Sequence, residues 1–168
     1  MILRALMLAG GLAGAATTSQ FPEFSQQYLQ RLGGAVDALG AVVADFDASA
    51  AAADLSREAA LAQIQGTTFL DSRRVDITRT IERQKDLAAD LKALEGEGPF
   101  MRAYNAARFT DPQIAKAAWD IYRPALPLNF AGVTFAAGGF LLGLLLLGGI
   151  MRLLAWPFRR ARDRRMAA

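Results

Sequence analysis

Four carboxylates, Asp71, Asp76, Glu82 and Asp86, are the side chains in this sequence best placed for chemistry, because they fall within one apolar-periodic segment. Paired carboxylates on a helix can work as general acid and base, or gather a hard divalent cation on oxygen ligands. Here they alternate with Arg73, Arg74, Arg79, Arg83 and Lys85, and opposite charges at helical spacing form solvated ion pairs. The interleaving therefore favours a wet helix face over a reactive centre. The chain has no cysteine and no histidine, which removes disulfides, thiolate nucleophiles, iron–sulfur ligation, Cys/His zinc sites and imidazole acid–base catalysis. Neither a phosphate-cradling glycine loop nor a nucleophile elbow is present. No cofactor and no metal is expected. An enzyme working through these carboxylates ranks third among the functions considered.

The elements that must position these residues are set by two apolar runs. Between Arg123 and Arg152 lie 28 uncharged residues, and between Arg4 and Glu23 another 18; both are long enough to be tested as membrane spans. The expected fold is an all-α membrane protein in which two transmembrane helices flank an antiparallel helical hairpin domain. Its expected parts are a first span over 1–20, a helical extramembrane domain over 21–128, a second span over 129–156 and a basic cytoplasmic tail over 157–168. Pro157 is expected to end the second helix. Ala13-Gly14-Ala15 also fits the small-residue pattern before a signal peptidase site. Arg4 alone makes a poor n-region, so a retained anchor is expected.

Charge supplies the orientation. The net charge of +3 hides an acidic middle, with twelve Lys/Arg against fifteen Asp/Glu from Gln20 to Leu128, and a basic tail. That tail holds Arg152, Arg159, Arg160, Arg162, Arg164 and Arg165 against Asp163. Arginines directly after an apolar helix mark a cytoplasmic end and meet anionic lipid head groups; nucleic acid is not an expected partner. Both termini are thus expected in the cytoplasm and the middle domain in the periplasm. Asn129 and Thr134 are the polar residues entering the second span, and neither span holds an ionisable residue at depth. An ion-coupled carrier would need one.

Small residues recur at four-residue spacing in both runs, Gly10 and Gly14 in the first and Gly139 and Gly143 in the second. Such faces let helix backbones approach closely in lipid, so these four glycines are the expected membrane-helix packing residues.

In the middle, Phe24, Tyr28, Leu32, Ala35, Leu39, Val42 and Phe46 form one face of a helix from Pro22 to about Ala50. A short helix is expected after an Asp54 cap, stopping at Gly66. A second long helix is expected from a cap at Thr67 or Thr68 to Glu95, ended by Gly96. Its stripe is thin, and the first helix is left with apolar surface to spare. Phe24, Tyr28, Arg31, Leu32, Gly33 and Gly34 are therefore the expected partner-binding face, with the glycines admitting another element or a bend. A last helix after Asp111-Pro112 carries Trp119 and Tyr122, which with Trp156 are expected at the membrane–water interface.

The run Ser19-Gln20-Phe21-Pro22-Glu23-Phe24-Ser25-Gln26-Gln27-Tyr28-Leu29-Gln30-Arg31-Leu32-Gly33-Gly34, and Tyr28-x-Gln30-Arg31-Leu32 within it, resembles a family of uncharacterised proteobacterial inner-membrane proteins, a domain of unknown function. The likeness extends over nearly the whole chain. It implies a Gram-negative inner-membrane location and carries no activity. The expected function is a non-enzymatic structural or interaction protein: a subunit or accessory factor of a larger inner-membrane assembly, or a homo-oligomer. The alternative is a small oligomeric channel. Expected partners are membrane lipids and other inner-membrane proteins or copies of the chain itself.

Overall fold

The computed structural model describes residues 2–124 and 128–166, with side chains over 3–124 and 128–154. The described residues are helical, without strands: α1 (Ile2–Ser19), α2 (Phe21–Ala52), α3 (Arg57–Gln63), α4 (Thr68–Leu94), α5 (Pro99–Tyr104), a 3-10 turn (Ala106–Arg108), α6 (Pro112–Ile121) and α7 (Phe130–Met166). They form two compact units, one from the chain up to Phe24 together with the chain from Arg123, the other from Ser25 to Tyr122.

In the first unit α1 and α7 pack side by side. Among the described residues one stretch, Phe130–Leu154, is long and apolar enough to cross a membrane. The 18 residues of α1 span about 27 Å at 1.5 Å per residue, just under a hydrocarbon core of about 30 Å. α7 does not stop at Pro157 as expected but continues to Met166. A proline inside a helix removes one N–H and bends the axis without ending it, and the arginines, Ala161 and Met166 beyond it are good helix formers.

In the second unit α2 and α4 run antiparallel. A Cβ at Gly40 would lie 3.8 Å from the Gln84 amide nitrogen, and nearer the tip Val42, Val43 and Phe46 share a groove with Ile77 and Ile81. α4 starts where Thr67 accepts a hydrogen bond from the Leu70 N–H and gives way to Gly96 in the left-handed region, φ +77°. The short helix starts later than expected. Ser56, not Asp54, caps α3, its hydroxyl accepting from the Ala59 N–H at 3.2 Å. Asp54 sits at φ 55°, a conformation Asp tolerates better than most residues, where it closes α2. Arg57 then ties α3 back to α2 through a two-pronged pair to Asp47 at 2.7 and 2.5 Å. That hydrogen-bonded guanidinium holds the Asp47 carboxyl below its usual range.

Candidate interaction surfaces

The α1/α7 seam is built from glycine. A Cβ at Gly14 would fall on the Gly139 carbonyl, one at Gly143 on the Gly10 carbonyl, and one at Gly139 on both the Gly14 carbonyl and the Thr18 hydroxyl. Toward the chain termini the register continues, with Met7 against Gly148 and Leu147 over Gly10, while Phe140 and Leu144 cover Gly11. One polar bond joins the two helices at the other end: Thr18 Oγ1 lies 2.6 Å from the Phe135 carbonyl, and 2.9 Å from its own Gly14 carbonyl. Phe21 and Phe135 close that end with ring centroids 5.4 Å apart. Sequence spacing named Gly10, Gly14, Gly139 and Gly143, and the structure places all four in this seam.

The outside of the pair has the opposite character. Leu3, Leu6, Leu8 and Leu12 of α1 and Leu141, Leu142, Leu145, Leu146 and Ile150 of α7 are exposed, up to 71% at Leu145. Small residues lie within and large apolar ones without, the reverse of a water-soluble helix pair. Because the helices are antiparallel, Arg4 and Arg152, both exposed, lie at the same end of the pair.

In the second unit the expected partner face is largely interior. Tyr28 and Leu32 are fully buried, and residues 99–122 of the same chain cover this part of α2 at Ser25 and Tyr28. The Tyr28 ring packs on Phe109 at 4.5 Å, and its hydroxyl accepts a long hydrogen bond from the Asp111 N–H at 3.4 Å. Around them lies a polar layer. Buried Arg102 donates to the Glu97 carbonyl and to Ser25 Oγ, at 2.9 and 3.1 Å. Buried Asp90 accepts from Thr110 at 2.6 Å and Arg108 at 3.4 Å. Asp111 caps α6 through the Gln113 and Ile114 N–H groups and holds Arg83 at 2.8 Å. Burial, aided by the Asp111 and Asp90 charges, pushes the Tyr28 phenol above its ordinary value against the opposing Asp111 N–H. Phe24 is half-buried and Arg31 exposed. Gly33 and Gly34 face open space, with nothing within 4 Å of where a Cβ would stand. They admit no neighbouring element, which removes the first of the two uses expected for them.

A family model described as "Protein of unknown function (DUF2937)" matches residues 2–160. The chain belongs to the DUF2937 family. Comparison with curated proteins and with solved structures returned no match. The DUF2937 match takes in residues of both units.

Of the remaining expected residues in this DUF2937 protein, Asp71, Asp76, Glu82 and Asp86 are exposed. Arg74 pairs with Asp71 at 3.8 Å, and Arg73 and Arg79 both approach Asp76 at 3.7 Å. No group of three or more acidic side chains placed to hold a metal occurs among the described residues. Trp119 is 65% exposed and stacks on Tyr122 with centroids 5.9 Å apart. Arg152 is exposed. Trp156, Arg159, Arg160, Arg162, Arg164 and Arg165 lie on the α7 backbone, outside the residues whose side chains are described.

Sequence reasoning missed an apolar patch toward the hairpin tip of this DUF2937 protein. Phe69 is 71% exposed and Leu70 beside it is exposed at the start of α4, while exposed Val42 lines the α2/α4 groove and exposed Val75 a groove shared with Leu61 and Ala62. Val75 lies off the Leu70/Ile77/Ile81 stripe, and that displacement was the available signal.

Proposed function

We propose that this DUF2937 protein is a two-span inner-membrane protein whose α1/α7 pair anchors the helical hairpin on the periplasmic side, and that the hairpin serves as a non-enzymatic docking module for other inner-membrane proteins or a second copy. The observation that carries the reading is the inverted character of the pair, glycine inside and leucine outside. Removing a Leu or Ile side chain from water is worth about 1.5–3 kcal/mol. Summed over the exposed leucines, that rivals the whole stability of a small domain, about 5–15 kcal/mol. A bilayer removes this penalty, and close backbone packing then supplies the association that apolar contact cannot supply in lipid. Arg4 and Arg152 at one end of the pair agree with both termini in the cytoplasm. On the hairpin, Phe69 and Leu70 expose adjacent apolar side chains at the start of α4, with Val42 and Val75 exposed on the two grooves that flank that helix, and clustered apolar surface is what proteins cover with one another. The ion-paired, exposed carboxylates of α4 fit a solvated face better than a reactive site.

The test is the size of the native particle. In a mild-detergent extract the protein should migrate well above monomer plus micelle, with a partner or a second copy, and Phe69→Asp with Val75→Asp should return it to the monomer position. Migration of the unaltered protein as a lone monomer defeats the docking role. A periplasm-only activity of a reporter enzyme fused behind Ala168 defeats the orientation.

A further inference from the structure

We infer that the C-terminal turn of α6 is a bilayer-docking surface, with the stacked rings of Trp119 and Tyr122 seated among lipid head groups; this rests on the two-span reading. α6 is split in character. Ile114 and Ala118 are buried inside the unit, at 6% and 0%, while Trp119 and Ile121 stand at 65% and 58% exposure. Indole and phenol rings combine an apolar body with a polar tip, and they concentrate at head-group depth, where both ends are satisfied.

Continuity with the span argues for lipid as the occupant. Seven residues separate Tyr122 from Phe130, where the apolar stretch of α7 begins. Fully extended, those eight Cα–Cα steps reach about 29 Å at most, which bounds how far the ring pair can stand from the start of that stretch. Leu128 and Phe130, at the start of that stretch, are themselves 88% and 80% exposed, and exposed Arg123, next in sequence to Tyr122, is a cation suited to phosphate head groups. The start of α6 is fixed to the hairpin. Its cap Asp111 binds Arg83 at 2.8 Å and reaches the hydroxyl of Tyr28, one turn after Ser25.

The chain has two tryptophans, so Trp156→Phe leaves Trp119 as the sole indole and Trp119→Phe leaves Trp156. Each full-length variant is reconstituted into phosphatidylcholine/phosphatidylglycerol vesicles, with and without bromine near the carboxyl end of the acyl chains. Loss of most Trp119 emission in the brominated vesicles, matched by loss at Trp156, is the expected result. Unquenched Trp119 with quenched Trp156 overturns the inference while leaving the membrane reading standing. If neither is quenched, both fall. Blue-shifted but unquenched Trp119 emission means that a protein surface covers the ring, and also overturns the inference. Should Trp156→Phe lose its helical circular dichroism, Trp156→Tyr replaces it.

Discussion

Gly14 and Gly139 meet backbone against backbone: a side chain on either would occupy the place of the other's carbonyl. One turn away a Cβ at Gly143 would fall on the Gly10 carbonyl, while one at Gly10 would crowd the Leu147 side chain at 2.8 Å and the Gly143 carbonyl at 3.2 Å, so all four positions need the small residue and Gly14, Gly139 and Gly143 set the separation of α1 and α7.

Gly139→Leu should therefore wedge the helices apart. Overpacking of a close contact costs about 1–3 kcal/mol, to be read from SDS-induced unfolding of the reconstituted protein. Since the chain lacks cysteine, a Met7→Cys/Gly148→Cys pair reports the same seam by disulfide formation, which Gly139→Leu should slow. Gly138→Ala and Gly149→Ala, where a Cβ meets nothing within 4 Å, should lose no stability. Equal behaviour of the two classes would mean that the seam is not formed.

Thr18→Val tests the polar end of the seam. It removes the 2.6 Å bond to the Phe135 carbonyl at nearly constant volume. Interhelical bonds of this kind in membranes average about 0.6 kcal/mol, so the loss should be small beside that of Gly139→Leu in the same unfolding assay.

The helical class, the long helices and the glycine seam were legible because they rest on periodicity and on small-residue spacing, both local properties of sequence. Thr67 and Gly96 mark the ends of α4 for the same reason. The fate of Tyr28 and Leu32 was not legible. Their stripe reads identically whether a partner protein or residues 99–122 cover it, and only long-range closure through Phe109, Arg102 and Asp111 decides between the two. Asp54 misled because Asp is at home both as a cap and at positive φ. Pro157 misled because proline bends a helix as readily as it ends one.

Replacing Asp71, Asp76 and Glu82 together by alanine should leave the hairpin folded, since exposed substitutions away from caps and cores usually change stability by less than about 0.5 kcal/mol each. Any cellular phenotype of the protein should survive. A null phenotype in a triple variant with intact helical circular dichroism would return these carboxylates to candidate chemistry.

Asp111→Ala should loosen α6. It deletes the side chain that accepts from the Gln113 and Ile114 N–H groups and holds Arg83. Loss of an N-cap costs about 1 kcal/mol, and the half-exposed Arg83 pair adds little. Asp111→Asn keeps the cap and should retain most of the stability. Hydrogen exchange at the first-turn amides of α6 is the direct readout; equal exchange in both variants would remove Asp111 from the role of latch.

Tyr28 gives the hairpin a defined alkaline limit. Burial holds its phenol above the ordinary value, with the Asp111 and Asp90 charges acting in the same direction. In the unfolded chain the same group ionises near pH 10. Below that pH both states keep the proton and the contribution to stability is constant. Above it the unfolded chain releases its proton while the native state retains one, so stability must fall as pH rises, until the native phenol ionises too. Tyr28→Phe has no proton to release there, and it gives up only one long hydrogen bond, worth less than about 1 kcal/mol. Denaturant unfolding from about pH 8 to about pH 11 should therefore show the variant near or slightly below the parent at the lower pH and gaining on it above pH 10. The lysines and the other tyrosines are common to both proteins and cancel in the difference. Parallel stability curves across that range would mean that the phenol is as solvated in the fold as in the unfolded chain, and the closure of residues 99–122 over α2 would have to be abandoned.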